Sequence, residues 1–405
     1  MNVLFLTMSA RISNVQTSGI YTDLMRKFRD NGHNVYIVYP NERRYGRATE
    51  LRECDGIYLL GVRTLNVTKS SAVEKGIGQL LLDYQFKSAV NKHFKDIPFD
   101  LIMYSTPPIT FTRLIRYLKT KNVSAKTYLL LKDIFPQNAV DLGMLSKSGV
   151  KGIIYAFFRL KEKKLYKISD FIGCMSPANV DYLIRHNAEI HKEKIEIAPN
   201  SYDIPEPESM PHNNRNDVRQ RYGLPTNVPI FIYGGNMGKP QGIPFLIRCL
   251  EHVKDRDDCH FLVVGDGTEY SKLEAFMKKD SPNSVSLLRK LPKEEYDELA
   301  SACDVGMIFL DYHFSIPNYP SRLLPYLIGK KPIIAVTDPN CDIGSIAEAN
   351  GYGYYSPSNS VEGFVNVVNQ MLVSDIKLMG ENGYKFFLNN YTTEHTYHAI
   401  IKHFE

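Results

Sequence analysis

The stretch from Asn318 to Ala335 contains the residues best suited to bind an anion. Pro320 and Ser321 stand where we expect a helix to begin, because proline is tolerated in the first turn and serine caps free backbone N–H groups. Arg322 follows them directly. A helix start offers unpaired N–H groups and a positive dipole end, and arginine adds a planar fork of donors. The spacing predicts a diphosphate site, with an ordinary capped helix as the alternative.

Two glycine-rich turns follow predicted strands in the same half of the chain. The first contains Gly235, Asn236 and Lys239, and the second begins at Gly265. Glycines let the backbone approach an anion closely, and a lysine adds a mobile positive charge. Ligands of open parallel sheets bind at the carboxyl ends of strands, so we expect both turns to border the crevice that holds Arg322. A flexible turn without a ligand is the alternative for the first of them.

Composition excludes several classes of protein. The chain has 405 residues with 49 basic and 44 acidic side chains, a balance too even to indicate a nucleic-acid partner. Six cysteines show neither a CxxC pair nor a histidine cluster, so the sequence predicts no metal site and no disulfide framework. The first apolar run is too short for a signal peptide, and no uncharged run is long enough to cross a membrane. We expect a cytoplasmic protein.

Apolar runs alternate with helical segments in two series, and this alternation predicts an α/β fold. Parallel neighbouring strands need a crossover helix between them, which this pattern supplies. The predicted strands of the first series are Val3–Thr7, Val35–Tyr39, Asp100–Tyr104, Ala125–Leu131 and Phe171–Met175. Those of the second series are Ile230–Tyr233, His260–Val264, Val285–Leu288, Val305–Leu310, Ile333–Val336 and Tyr352–Tyr355. The first helix is predicted over residues 17–31.

The two series predict two doubly wound, Rossmann-like domains that face each other across a cleft. A run of prolines and polar residues separates them and marks the boundary. We assign residues 1–200 to an N-terminal acceptor-side domain, 201–215 to a linker and 216–385 to a C-terminal domain that binds a nucleotide sugar. Residues 386–405 are expected to form a C-terminal helix that packs back on the N-terminal domain.

Several motifs together resemble the retaining glycosyltransferases of family 4, which have the GT-B fold. The motifs include Gly19, the linker pair Asn200 and Asp203, the turn at Gly265, and the run that begins at Leu291. A narrower resemblance is to the bacterial branch that adds N-acetylfucosamine and related amino sugars during capsule and O-antigen assembly. It is carried by Lys132-Asp-Ile-Phe-Pro-Gln137, Leu142-Gly143 and Pro320-Ser321-Arg322.

Two features of the family are missing here. The family pattern Gly-Arg-Leu-x-x-x-Lys-Gly supplies two cations to the donor diphosphate, but the corresponding positions are Asn236 and Gln241. The family's two glutamates, which have seven residues between them, fall on Pro317 and Pro325, so the carboxylate that usually binds the donor ribose is absent. Either the chain is inactive, or Arg322 and Lys239 have taken over the charge, and we favour the second interpretation.

The resemblance implies a metal-independent hexosyltransferase that uses a UDP-sugar and no cofactor. As the anomeric bond breaks, negative charge builds on the diphosphate, and cations and N–H groups stabilise it. We assign that role to Arg322, Lys239 and the backbone at Ser321 and Leu323, with Gly19 closing from the N-terminal domain. Asp133, after a predicted strand, is our candidate for orienting the sugar or the acceptor hydroxyl, with a simple turn cap as its alternative.

The remaining donor-side residues are assigned by their place in these motifs. They are Gly235, Asn236, Gly265, Leu291 and Pro320. The tripeptide Asp255-Arg256-Asp257 matches the acidic DxD pattern of some metal-dependent sugar transferases. It precedes a strand, and so it lies at the end of the sheet opposite the predicted ligand. We therefore assign no metal ligand.

Basic residues are concentrated in one place, from Lys147 to Lys167. Seven lysines and arginines meet one acid there, and Ile153, Phe157 and Leu160 fall on one helical face. A basic amphipathic helix can lie on an anionic membrane, which would bring the protein to a polyprenyl-diphosphate-linked saccharide at the inner face of the cell membrane. A core helix with a solvated basic face is the alternative.

Two other functions share this fold and cleft. A nucleotide-sugar 2-epimerase would convert its substrate without an acceptor. A catalytically inactive subunit would bind the nucleotide sugar and transfer nothing, in keeping with the missing glutamates and cations. The sequence identifies neither the donor sugar nor the linkage.

Overall fold

A computed structural model describes residues 1–67, 72–204 and 214–404 of the chain. The chain forms two compact units, Met1–Asp203 with Thr392–Glu405 and Ile204–Tyr391. Most of the predicted linker, residues 205–213, lies outside the described residues. Each unit is built around its own twisted sheet.

The sheet of the first unit has eight strands in the order β3-β4-β2-β1-β5-β6-β7-β8. Neighbours are parallel, except that β3 and β4 form an antiparallel pair at one edge. The strands are β1 (Asn2–Leu6), β2 (Asn34–Glu42), β3 (Glu50–Cys54), β4 (Ile57–Thr64), β5 (Leu101–Ser105), β6 (Lys126–Leu131), β7 (Phe171–Cys174) and β8 (Ile195–Ile197). The central strands β1 and β5 are almost entirely buried, as expected for a parallel sheet covered on both faces.

Helices connect these strands and cover the sheet. They are α1 (Thr22–Asp30), α2 (Ala72–His93), α3 (Thr112–Lys121), α4 (Gln137–Asp141), α5 (Gly149–Ile168) and α6 (Pro177–His186). Helix α1 has a strongly amphipathic sequence, and its Leu24, Met25 and Phe28 are buried against the sheet. Among the described residues, no helix is both long enough and apolar enough to cross a bilayer.

The sheet of the second unit has six parallel strands in the order β11-β10-β9-β12-β13-β14. They are β9 (Ile230–Asn236), β10 (His260–Asp266), β11 (Val285–Arg289), β12 (Val305–Phe309), β13 (Ile333–Thr337) and β14 (Gly353–Pro357). The helices are α7 (Arg215–Arg221), α8 (Ile243–Val253), α9 (Tyr270–Asp280), α10 (Lys293–Ser301), α11 (Leu323–Ile328), α12 (Ile343–Ala349), α13 (Val361–Leu372) and α14 (Ile376–Asn390). The order reverses beside β9, the first strand of this unit, so a switch point of the sheet lies next to its first turn.

The chain ends in the first unit with α15 (Thr393–Ile401). Tyr397, Ile400 and Ile401 join the apolar cluster that contains Val3 and Phe5 of β1. The Tyr397 hydroxyl also lies 3.0 Å from the His33 ring nitrogen Nε2. The residues predicted as one C-terminal helix are thus divided between α14 in the second unit and α15 in the first.

The predicted α/β class with two Rossmann-like units is confirmed, and the differences are local. All eleven predicted strands are present. The sequence analysis did not predict β3, β4 and β8. Helix α1 begins at Thr22 and not at residue 17, because residues 14–21 form turns.

Candidate functional site

Two glycine turns lie side by side at the carboxyl edge of the second sheet. In the register of β9 and β10, Gly235 is opposite Gly265 and Asn236 is opposite Asp266. The Met237 N–H donates to the Asp266 carbonyl oxygen at 2.9 Å, which holds the turns together. A Cβ on Gly265 would collide with the Gly235 carbonyl oxygen, so only glycine fits there. The two predicted turns are therefore parts of one surface.

Arg322 reaches this surface from a distant part of the chain. Its guanidinium carbon lies 4.8 Å from the centre of the Tyr233 ring, within range of a cation–π contact. Its Nη2 lies 3.6 Å from the position that a Cβ on Gly235 would occupy. Its Nη1 is buried and makes no hydrogen bond within the described residues. A buried donor without a partner is costly, so this atom is suited to a ligand's oxygen.

Three tyrosines, Tyr233, Tyr296 and Tyr326, lie near the Arg322 guanidinium. Tyr326 donates its hydroxyl to the Ile232 carbonyl at 3.1 Å and accepts the Gly234 N–H at 3.2 Å. Burial lowers the pKa of Arg322, but the nearby tyrosines more than compensate and raise it above its ordinary value. The guanidinium is therefore charged at neutral pH. Burial has the opposite effect on the Tyr326 hydroxyl. It raises the pKa of Tyr326 to about 12, so this tyrosine is neutral.

Asn236 and Gln241, which stand where the family pattern has arginine and lysine, bond to each other. Asn236 Nδ2 donates to Gln241 Oε1 at 2.9 Å, and the same oxygen accepts the Gly238 N–H at 3.1 Å. The pair closes the turn without adding charge. Lys239 lies between them, exposed, and makes no ion pair within the described ranges. It is free to turn towards an anion at Gly235.

The helix start at Pro320 and Ser321 differs from the prediction. Helix α11 begins only at Leu323 and is six residues long, and Ser321 makes no capping hydrogen bond. The Leu323 N–H donates to the Pro320 carbonyl at 3.2 Å, so it is already used within the turn. The prediction that Ser321 caps this helix is wrong, and the assignment of the Leu323 backbone to the donor diphosphate stays a prediction. The tight turn aims Arg322 instead.

Two further polar residues at this edge were not predicted. Asp311 follows β12 and accepts hydrogen bonds from the His313 N–H at 2.9 Å and the His313 ring at 2.7 Å. The Asp311 N–H donates to the Pro240 carbonyl at 3.0 Å, which ties this loop to the glycine turn. An acid and a histidine two residues apart, directly after a buried strand, were the available signal. Leu291 lies half-buried between β11 and α10.

In the first unit, Asp133 lies just beyond the carboxyl end of β6. Its Oδ1 accepts the Asn138 side-chain amide at 2.7 Å, and Thr106 bonds to both its N–H and its carbonyl. Burial of Tyr21, and to a smaller extent the negative charge of Asp133, raises the pKa of Tyr21 to about 12. Asp133 is half-buried and held in one orientation, as an orienting residue must be. Its role stays a prediction.

Lys132, next to Asp133, is a second half-buried titratable group at this edge. Its Nζ donates to the Ala198 carbonyl at 3.1 Å, and burial lowers the pKa of the ammonium to about 7. The sequence analysis used Lys132 only as part of a motif and did not predict this perturbation.

Gly19 also lies in the first unit, ahead of α1. Its N–H donates to Asp23 Oδ1 at 2.8 Å, so this donor is already bonded. Asp23 is fully buried and also accepts the Asp203 N–H at 2.9 Å and the Arg26 guanidinium at 2.7 Å. A phosphate at Gly19 would therefore meet the bare Cα and not the N–H. The assignment of Gly19 to the donor stays a prediction.

Residues 214–386 match the family model described as glycosyl transferases group 1. The probable glycosyltransferase WbjE of Pseudomonas aeruginosa is 23% identical over 329 residues, which cover 77% of this chain and 75% of the relative. The putative colanic acid biosynthesis glycosyl transferase WcaI of Escherichia coli K12 is 22% identical over 264 residues, 63% of this chain and 62% of the relative.

The fold is shared with solved structures. The crystal structure of HepE from Anabaena in complex with UDP superposes on this chain with a TM-score of 0.68 at 14% identity. The alignment covers 100% of this chain and 99% of the HepE chain. The region that matches the family model, residues 214–386, contains the glycine turns, Lys239 and Arg322. Residues 214–386, which include these groups, are thus similar to group 1 glycosyl transferases.

Proposed function

We propose that this chain is a retaining glycosyltransferase that takes a sugar from a UDP-sugar and uses Arg322 to bind the diphosphate. One observation carries the proposal. The guanidinium of Arg322 is fixed over Tyr233, lies beside Gly235, and has a buried Nη1 without a hydrogen-bond partner among the described residues. A diphosphate oxygen beside Gly235 would satisfy that donor with a charge-assisted hydrogen bond.

The chemistry follows from where these groups lie. Breaking the bond between the anomeric carbon and the diphosphate leaves negative charge on the phosphate oxygens, and a fixed cation stabilises that charge as it develops. Arg322 needs no reorganisation, because Tyr233 and the turn before α11 already hold it. Lys239 is exposed and supplies a second, mobile charge. In this scheme the protein's own cations carry the charge, so we propose a metal-independent reaction without a cofactor.

The comparisons support a nucleotide sugar as the donor. The domain that carries Arg322 matches the group 1 family, and HepE, which has the same fold, has been crystallised with UDP. WcaI is described as a putative colanic acid biosynthesis glycosyl transferase. On the resemblance carried by residues 132–137, we propose a donor with an N-acetylated amino or deoxyamino sugar, and an acceptor that is a saccharide on polyprenyl diphosphate at the inner face of the cell membrane. Asp133 would orient the acceptor hydroxyl.

A transfer assay tests the proposal. Purified protein is incubated with a panel of radiolabelled UDP-sugars and a bacterial membrane extract, and the lipid phase is counted. We expect label from one UDP-amino sugar to enter the lipid, with and without a chelator, and Arg322→Met to abolish transfer. Arg248→Met is the matched control, because Arg248 is exposed on α8, where its guanidinium lies 5.1 Å from the centre of the Phe245 ring.

The other outcomes of this assay would indicate a different function or mechanism for the chain. Conversion of the UDP-sugar without any acceptor would mean an epimerase. Binding of the nucleotide without conversion or transfer, for every donor in the panel, would mean an inactive binding subunit. Loss of transfer in the presence of the chelator would contradict the metal-independent scheme.

A further inference from the structure

Helix α5 exposes an apolar stripe to solvent. Val150, Ile153, Ile154 and Phe157 follow the i, i+3, i+4, i+7 spacing of one helical face, and Leu160 continues it. All five residues are exposed, and Ile153 has a relative solvent exposure of 72%. A helix normally turns such a stripe into the core. Here the core side of α5 is formed by other residues, Leu165 and Tyr166 among them.

Cations accompany this stripe. Lys161 and Lys164 lie four and seven residues beyond Phe157, on the same face of α5. The one acid in the segment, Glu162, is buried and neutralised by Arg159, whose Nη1 lies 2.5 Å from its carboxylate. The exposed charge of this face is therefore positive, which distinguishes it from a face suited to a purely apolar partner.

Helix α2 has a second exposed stripe with the same spacing. Ile77, Leu80, Leu81 and Tyr84 occupy positions i, i+3, i+4 and i+7, and Tyr84 is 73% exposed. Its acid Asp83 points inward and accepts the N–H groups of Leu114 and Arg113 at the start of α3. No exposed acidic charge interrupts this stripe between residues 77 and 84.

The two helices belong to one surface of the first unit. Helix α3 packs against both α2 and α5. Burial raises the pKa of Asp83 in α2, and nearby groups lower it, including the charge of Lys161 in α5. Helix α3 therefore links the two helices, and Lys161 lies close enough to Asp83 for its charge to act there.

We propose that the exposed stripes of α2 and α5 bind an anionic lipid bilayer. Nine large apolar side chains would enter the region between headgroups and acyl chains, while Lys161 and Lys164 meet the negative headgroups. Charge complementarity favours a bilayer over a second copy of the chain, because two copies would bring these lysines together. The inference is independent of sugar transfer, since a protein without that activity would bind the bilayer through the same side chains.

Co-sedimentation of the full chain with vesicles tests the inference. We expect binding to phosphatidylcholine vesicles that contain phosphatidylglycerol, little binding to phosphatidylcholine alone, and release by high salt. Two double variants, Ile153→Asp with Phe157→Asp and Leu80→Asp with Tyr84→Asp, should each lower binding at least ~10-fold. Replacing Lys161 and Lys164 by glutamine should lower it about fivefold for each lysine.

The controls carry equal changes elsewhere. Val373→Asp with Leu378→Asp alters two exposed apolar residues of the second unit, and Lys278→Gln with Lys279→Gln alters two exposed lysines of α9. Both should bind vesicles like the wild type, and thermal unfolding should show every variant folded. Equal binding to both kinds of vesicle, or unchanged binding by either apolar variant, would overturn the inference. So would light scattering that shows a wild-type dimer which the α5 variant dissociates.

Discussion

The side-chain amides of Asn236 and Gln241 form an uncharged hydrogen-bonded pair at the two positions where the family pattern has an arginine and a lysine. Asn236 Nδ2 lies 2.9 Å from Gln241 Oε1, and that oxygen also accepts the Gly238 N–H. The glycine turn is thus shaped by an amide pair, and its fixed positive charge comes from Arg322, on another element. This separation of shape from charge makes the two properties independently testable.

Gln241→Glu should weaken nucleotide binding without unfolding the turn. A glutamate keeps the acceptor for both hydrogen bonds, but it adds a negative charge beside the proposed diphosphate. We expect the binding free energy of UDP to fall by about 1 kcal/mol at moderate salt, and the loss to shrink at high salt. Calorimetric titration measures it. Glu251→Gln, a charge change at a half-buried position near the end of α8, is the control. Equal UDP affinity in Gln241→Glu and wild type would argue against a diphosphate at this turn.

Gly265→Ala should damage the second unit and its nucleotide site together. The new Cβ would collide with the backbone carbonyl of Gly235, which cannot move without breaking the register of β9 and β10. We expect a loss of about 2–4 kcal/mol in unfolding free energy. Chemical denaturation measures it. Gly76→Ala is the matched control, because that glycine lies in α2 with open space around it and alanine favours a helix. A stable Gly265→Ala would show that the turns are not packed as described.

Lys132→Met should change how stability depends on pH. Burial lowers the pKa of Lys132 to about 7 in the folded chain, below the ordinary value of 10.5. Between these values the unfolded chain binds more protons, so the unfolding free energy of the wild type rises with pH, by up to ~1.4 kcal/mol per unit. Lys132→Met lacks this contribution. Its stability relative to the wild type should therefore fall as pH rises from about 7 to about 10.

Denaturation curves of both proteins at several pH values provide the measurement. The comparison removes the titration of other groups, because they are common to both chains. A difference in unfolding free energy that stays constant across this range would mean that Lys132 remains charged in the folded state.

Asp133→Asn should separate transfer from donor binding. The amide keeps the size of the side chain and an oxygen for Asn138, but it removes the charge. If Asp133 orients the acceptor, kcat for transfer should fall by roughly 100-fold or more while UDP affinity stays within twofold of the wild type. Asp181→Asn, at an exposed position of α6, should leave both unchanged. A variant with full transfer activity would leave Asp133 as a turn residue.

The sequence was most informative where apolar runs are continuous. Strands such as β5 and β13 are buried on both faces, so each is a nearly unbroken apolar stretch that predicts a central parallel strand. Strand β3 is at the sheet edge and mixes charged and apolar residues, and β8 has three residues, so neither has that pattern. The shared α/β architecture therefore followed from the central strands alone.

The site was less predictable because its parts meet through tertiary packing. The residue types at Gly235, Gly265 and Arg322 indicated an anion site. The contact between Arg322 and the Tyr233 ring, and the hydrogen bond between Asn236 and Gln241, depend on side-chain geometry. The spacing of residues along the sequence does not determine that geometry. Local hydrogen bonding also changed the outcome at Leu323, whose N–H is used by Pro320 within a tight turn. The residue types carried the chemistry, and packing decided which atoms are free.

Titration of UDP into Arg322→Met tests whether Arg322 binds the diphosphate. We expect the Kd for UDP to rise ~30-fold or more, since a charge-assisted hydrogen bond to a phosphate is worth about 2–3 kcal/mol. Arg322→Lys should recover part of the affinity, and Arg248→Met should bind UDP like the wild type. A folded Arg322→Met that binds UDP within threefold of the wild type would contradict the account.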